Sequence, residues 1–292
     1  MLEGPSKLRI YNVIGYSLIL VHSLASGFAA PDEWEFLGGT MFGIGYLIFI
    51  WLISGLFLSN VLHMGIAHKS LDFKPWFLKS VIVVYSLTAI YVNPKTWVNR
   101  HRHHHAFSDR EGDPSKLHED GFWQTLYHCF WPYEVKNNLA KDPIFKSWTL
   151  RIVSNWYFFA FSQITSFGLL WLLSGDLGYS LVLWLSVRLF GLWINMIQNY
   201  WTHDRRFGTR RYHQDEDNAM NLGDWLPVTA SFSASLQNNH HHFPHFLRTS
   251  HAPDEYDFGF LTVRALKALG LVKPSRSGAQ VPDGVLLENH GL

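Results

Sequence analysis

Residues 36–62, "FLGGTMFGIGYLIFIWLISGLFLSNVL", run for 27 positions without a charged side chain. A helix of that length reaches about 40 Å, against a hydrocarbon core of about 30 Å. The stretch therefore crosses a bilayer and carries the next six residues, "HMGIAH" at 63–68, clear of the far surface. Three more runs are of spanning length. Ile10–Ala30 is broken only by His22, Ile152–Leu173 has no charge, and Leu177–Tyr200 is interrupted only by Arg188. Charged residues make up 16% of the chain, well under the roughly 25% of soluble domains. The expected fold class is all-α integral membrane. Four transmembrane helices, over about 10–30, 36–62, 152–173 and 177–200, form two hairpins beneath a cytosolic helical cap.

Charge sets the orientation. The short connections "PDEWE" at 31–35 and "SGDLGYS" at 174–180 hold acids but no Lys or Arg. Lys7, Arg9, Lys69, Lys74, Arg100, Arg102, Arg205 and Arg206 all flank the other ends. The positive-inside rule then puts both termini and the long segment 63–151 in the cytosol, with a bacterial inner membrane as the expected location. One apolar run remains, "FLKSVIVVYSLTAIYV" at 77–92. Only 13 residues follow its Lys79, too few to cross. Crossing would also separate His63 and His68 from His101, so the run is expected to be a non-spanning helix on the membrane face. The first run, with Lys7 and Arg9 before it and "ASGFAAP" at its end, has features of a secretory signal. Its length and the span after it favour a retained helix. Residues 1–272 read as one domain and 273–292, with "KPSRSGAQVPDG", as a loose tail.

A formal net charge of +1 leaves no basic surplus for nucleic acid. Cys129 is the single cysteine, which excludes a disulfide within the chain, thiolate zinc ribbons and iron–sulfur clusters. Any transition metal must be held by nitrogen and oxygen. The 17 histidines supply nitrogen in groups. His63 and His68 come directly after the second span. His101, His104 and His105, in "NRHRHHHAFSD" at 99–109, stand at i, i+3 and i+4 on one helical face. Asn199 and His203 leave the fourth span. "QNNHHHFPH" at 237–245 brings His240 and His241 one turn after Gln237. Eight imidazoles exceed the needs of one ion and suit two, with room for another molecule. Donor type alone leaves iron, copper, nickel and zinc open. His22, His118, His128, His213, His251 and His290 stand singly and read as surface or hydrogen-bonded core residues. His103 lies off the shared face of its group and reads as outer or exposed, and His242 and His245 are undecided.

The boxes "HMGIAH", "HRHHH" and "QNNHHHFP", with spans between and around them, resemble those of the membrane fatty acyl desaturases. The chain is particularly similar to acyl-CoA delta-9 desaturases and their short bacterial relatives. "W-x3-HRxHH-x-FSD" at 97–109, "DP" at 113–114, "N-x3-H" at 199–203, "FGTR" at 207–210 and "NNHHxFP" at 238–244 extend the likeness over roughly residues 10–255. The resemblance implies a non-haem di-iron centre held by His63, His68, His101, His104, His105, His203, His240 and His241, with Asn199 near one iron through water. It also implies O2 as co-substrate and an external electron donor, a ferredoxin-like or small haem protein. One position departs: the third box usually opens with His, and here Gln237 stands there, a weaker and neutral ligand. The implied reaction is desaturation of a fatty acyl chain carried on coenzyme A, acyl carrier protein or lipid, or present as free acid. The same scaffold also admits a decarboxylase or terminal desaturase/acetylenase giving terminal unsaturation, or an alkyl hydroxylase. Outside this class stands a non-catalytic metal-binding membrane protein. Trp97 and Arg188 are candidate substrate-binding residues. For Arg188, midway along the fourth span, the alternative is a charge facing the bundle interior and met by Asn155 or Gln163.

Overall fold

The computed structural model describes residues 9–115, 121–131, 135, 137–213 and 217–275. His118, His290 and the sequence from 276 onward, which holds most of the expected tail, lie outside the described residues. The described structure is mostly helical, with almost no sheet. Four helices are long and apolar enough to cross a membrane: α1 (Ile10–Phe28), α2 (Phe36–Gly55) with its continuation, α7 (Tyr157–Ser174) and α8 (Leu177–Asn199). Their outward side chains are left bare, Leu172 at 80% and Ile164 at 72% exposure. Water would penalise that surface and lipid would not. Trp156 and Tyr157, 72% and 79% exposed at the start of α7, are of the residue types that favour a membrane–water boundary.

α1 packs along α2 and α8, and α7 along α8. Small residues let the first pair close: a Cβ on Gly43 would sit 2.4 Å from the Ser26 Cβ, and one on Gly39 2.4 Å from that of Ala30. The two short connections meet at one end of the bundle. Tyr179 donates from its hydroxyl to the Gly39 carbonyl at 2.6 Å, and its ring packs on Trp34 and Phe42.

The second span outruns its apolar stretch. α2 passes at Gly55 into a π-helical segment, Leu56–Ala67, so that the whole rod is 32 residues long. The wider turn is visible in the bond from the His68 N–H to the His63 carbonyl, 3.0 Å, a five-residue step. The third span starts later than the sequence suggests. Ile152 and Val153 belong to a separate short helix, α6 (Trp148–Val153). Ser154 and Asn155 break the chain by local bonding: the Asn155 side chain accepts from the Tyr157 N–H at 2.9 Å, and the Ser154 carbonyl accepts from the Asn93 amide at 2.8 Å.

The run at 77–92 becomes α3 (Pro75–Thr88), packed against α2, α6 and α7. Asn93 then caps α4 (Pro94–Phe107), accepting from the Thr96 N–H at 3.1 Å, with Pro94 at the first helical position. The remaining helices are α5 (Phe122–Phe130), α9 (Trp225–Ala230), α10 (Gln237–His242) and α11 (Phe258–Ala268). The expected tail begins too early at 273, because β2 (Val272–Pro274) pairs antiparallel with β1 (Leu71–Phe73).

Candidate metal centre

Four pieces of chain converge at the end of the bundle opposite the short connections. The π-helical segment and the residue after it bring His63 and His68, α4 brings His101, His104 and His105, a 3-10 turn after α8 brings His203, and α10 brings His240 and His241. They form two groups. In the first, ring nitrogens of His63, His68, His101, His105 and His240 all lie within 4.8 Å of one another, and in the second those of His104, His203 and His241 do. The Nε2 atoms turn inward: 2.9 Å from His63 to His240, 2.8 Å from His68 to His101, 3.0 Å from His240 to His105 and 3.1 Å from His104 to His241.

Neighbours in sequence are parted in space. His104 and His105 point into different groups, as do His240 and His241. Successive residues on a helix face about 100° apart, so a doublet can straddle two adjoining pockets while His101 and His105, at i and i+4, share one.

The surroundings of the two groups differ. Each ring of the three-histidine group rests its Nδ1 on a carboxylate: His104 on Asp113 at 2.9 Å, His203 on Asp109 at 3.0 Å and His241 on Asp217 at 3.0 Å. These acids are themselves anchored. Asp113 accepts from the Asp109 and Ser115 N–H groups, Asp109 from the Asn218 N–H, and Asp217 from the Ala219 N–H. Asp109 stands in the left-handed region, at φ 55°. Among the described residues no carboxylate pairs with the five-histidine group. A brace of another kind supports that side. Arg102 donates to the Ile66 and Ala67 carbonyls and to Asp142, tying down the backbone just before His68.

Burial holds His68, His101, His105 and His240 well below the usual histidine range, and their neighbouring imidazoles add to this. Those rings are neutral, each with a lone pair to give. Burial also lowers His241, against the pull of Asp217. At His104 burial acts downward too, yet the Asp113 carboxylate outweighs it and the ring is raised. Converging neutral imidazoles with outward nitrogens held by carboxylates fit a transition-metal cation, as the donor and outer shells of one.

Gln237 sits beside the three-histidine group, its amide nitrogen 3.0 Å from His241 Nε2. Turning the amide over would present its oxygen at the same place. Asn199 is half-buried and its amide donates back to the Asn195 carbonyl at 2.9 Å. His103, expected outside or exposed, is buried with its Nε2 2.9 Å from the Asn137 carbonyl. His245 Nδ1 lies 2.9 Å from the His68 carbonyl, and His242 stacks on Tyr212 at 4.1 Å. His22 is a core residue between Ser186 and the Gly43 carbonyl. Arg188 is met by Gln163, Ser166 and the face of Trp184, and Asn155 takes no part.

A cavity of about 220 Å³ opens beneath the histidines. His63, His101, His104 and Gln237 border it above, and Leu47 and Ile50 of α2 face Val187 and Phe190 of α8 along its apolar part. Trp97, which stacks on His101 at 4.8 Å, also lines it, whereas Arg188 does not. The carboxylates at 109, 113 and 217 were not picked out from the sequence. Asp109 and Asp113 fall inside the "FSD" and "DP" patterns, and Asp217 carries no such signal.

The family model for the fatty acid desaturases matches residues 17–254. An sn-1 stearoyl-lipid 9-desaturase of Anabaena variabilis is 30% identical over 240 residues, covering 78% of this chain and 81% of its own. Delta-9 acyl-lipid desaturase 2 of Arabidopsis thaliana is 29% identical over 265 residues, 86% of this chain and 78% of its own. An acyl-CoA C20 Delta5-desaturase of Anemone leveillei is 24% identical over 230 residues, 76% of this chain and 70% of its own.

Proposed function

This chain belongs to the fatty acid desaturase family, and on that premise we propose that it desaturates a fatty acyl chain at a di-iron centre held by the two histidine groups. One observation carries the reading: eight imidazoles gathered above an apolar cavity that descends between two membrane-spanning helices. A methylene has no acidic proton and no leaving group, so side-chain acids and bases cannot open it. Iron in both groups would supply the oxidising chemistry that activates O2 and removes hydrogen from an unactivated carbon. In balance, O2 with two electrons and two protons takes two hydrogens from adjacent carbons and leaves an alkene and two waters. The electrons come from a separate ferredoxin-like or small haem protein on the cytosolic face.

The chain's own residues do the holding. His63, His68, His101, His105 and His240 would hold one iron. His104, His203 and His241 would hold the other, with Gln237 as a weak fourth through its oxygen. Asn199, at the cavity wall, would act on that second iron through a water. Asp109, Asp113 and Asp217 fix which ring nitrogen faces the metal. Leu47, Ile50, Val187 and Phe190 take the acyl tail without exposing it to water, and Trp97 closes the wall beside His101.

The test is expression in a host lacking the activity, with gas chromatography of lipids and headspace and iron analysis of the purified protein. Internal alkenes and two irons per chain are expected. Terminal alkenes, alkynes or alcohols in their place would assign one of the other oxidations, and zinc, copper or no metal would overturn the reading.

A further inference from the structure

The face of α4 that turns to the cavity carries four residues, Trp97, Arg100, His101 and His104, at the spacing of one helical stripe. Three are accounted for. Arg100 is not, and its surroundings are unusual for a guanidinium. Its Nε is shut off from solvent without a hydrogen-bond partner. Its one hydrogen bond among the described residues is a long contact from Nη2 to the Pro114 carbonyl at 3.4 Å. No acidic side chain lines the cavity among the described residues, and Asp113 lies near enough only to be felt as a charge. Arg102 is met by Asp142 and two carbonyls and Arg206 by Asp204, while Arg211, whose Nε is likewise unpartnered, pairs with Glu255 through Nη2.

A half-buried cation with no ion-pair partner among the described residues is costly to keep, and an unpaired guanidinium edge matches the two oxygens of an oxyanion. Ser115, His128, Asn195 and Gln198 are among the polar residues that line the cavity with it. Asn195 and His128 are already bonded to Asn199, Gln124 and the Trp131 carbonyl. Arg100 is the one arginine or lysine among the described lining residues, and its guanidinium has donors to spare.

We propose that Arg100 is the anchor for an oxyanion at the head of the acyl substrate, a carboxylate or a phosphate, drawn into the cavity rather than left at the membrane surface. This rests on the reading of the chain as an acyl-chain oxidase and deepens it by naming the head group. It also sets which carbons lie under the histidines, because the head is fixed at the residue next to His101 and one helical turn from His104.

Binding tests this apart from turnover. Iron-loaded protein in nanodiscs is titrated with decanoate, palmitate, their methyl esters and palmitoyl lysophosphatidate, with the native protein compared against Arg100→Gln and Arg100→Lys. Native protein is expected to bind at least one anion roughly ten- to hundredfold more tightly than the matching ester. Arg100→Gln removes that preference, Arg100→Lys keeps part of it, and iron content stays unchanged in both. A preference for the free acids assigns a carboxylate, and one for the lysophosphatidate a phosphate. Equal affinity for acids, esters and lysophosphatidate in the native protein, or an anion preference that survives Arg100→Gln, overturns the proposal. If Arg100→Gln loses iron, the native acid-to-ester ratio and Arg100→Lys decide. Alkene formation without an anion preference would leave the proposed function standing and Arg100 without this role.

Discussion

The five-histidine and three-histidine groups adjoin, share two sequence doublets and border one cavity, yet they are built on different principles. The first gathers five rings with no carboxylate paired to them among the described residues and relies on Arg102 to hold the chain in place. The second has three rings, each leaning on a buried acid. Charge makes the distinction physical. A carboxylate one imidazole away from a dication, roughly 6–7 Å, contributes on the order of 5 kcal/mol at an effective dielectric constant of about 20. Three such acids offset a smaller number of nitrogens. Under the proposed function the first group would bind by ligand count, the second by fewer ligands made more basic and fixed in orientation.

The largest expected effect separates the two by redundancy. His104→Ala removes one of three rings and should take iron from two per chain to one, with product falling to background on gas chromatography. His101→Ala removes one of five, so product is also lost but more iron is retained. His213→Ala, at an exposed position, changes neither. Equal iron loss from the first two variants would break the comparison.

The next effect tests the acids. Asp113→Asn or Asp217→Asn should weaken iron at the three-histidine group by about 10- to 100-fold in chelator competition, leaving the other iron in place. Gln237→His comes third. An added imidazole should slow iron release from that same group, and unchanged metal content would show that position 237 takes no part in binding.

The smallest effect concerns the brace. Arg102 and Lys69 hold the Asp142 carboxyl below its usual range, although burial works the other way. A carboxylate lowered on folding stabilises the protein above its unfolded pKa. That contribution is lost as pH falls through the native value. Asp142→Asn should therefore lower the melting temperature at neutral pH, by a stability difference of roughly 1–2 kcal/mol, and the gap from native protein should close on acidification.

Much of the molecule is legible in the sequence because it depends on local pattern. Charge-free runs reveal spans whatever their neighbours, and eight histidines in boxes point to a candidate metal centre. The hidden part depends on rotation and contact. The partition of His104 from His105, and of His240 from His241, comes from how α4 and α10 are turned about their axes, which no spacing states. Asp217 reaches His241 from 24 residues away. The third span's late start lies in two hydrogen bonds made by Asn155 and Asn93. In the sequence Arg100 is one more cytosolic positive charge, and only the cavity wall distinguishes it.

The widened turn at Leu56–Ala67 bears on how the chain tolerates insertions and deletions. Losing one residue there would let the rod relax to ordinary α geometry without making it any less apolar. The shortened protein would still insert in the membrane, but everything upstream of the lesion would be out by about 100° relative to His63 and His68. Drift in length should therefore be purged from this stretch and accumulate instead at the turn near residues 29–35, where the same change alters only a connection.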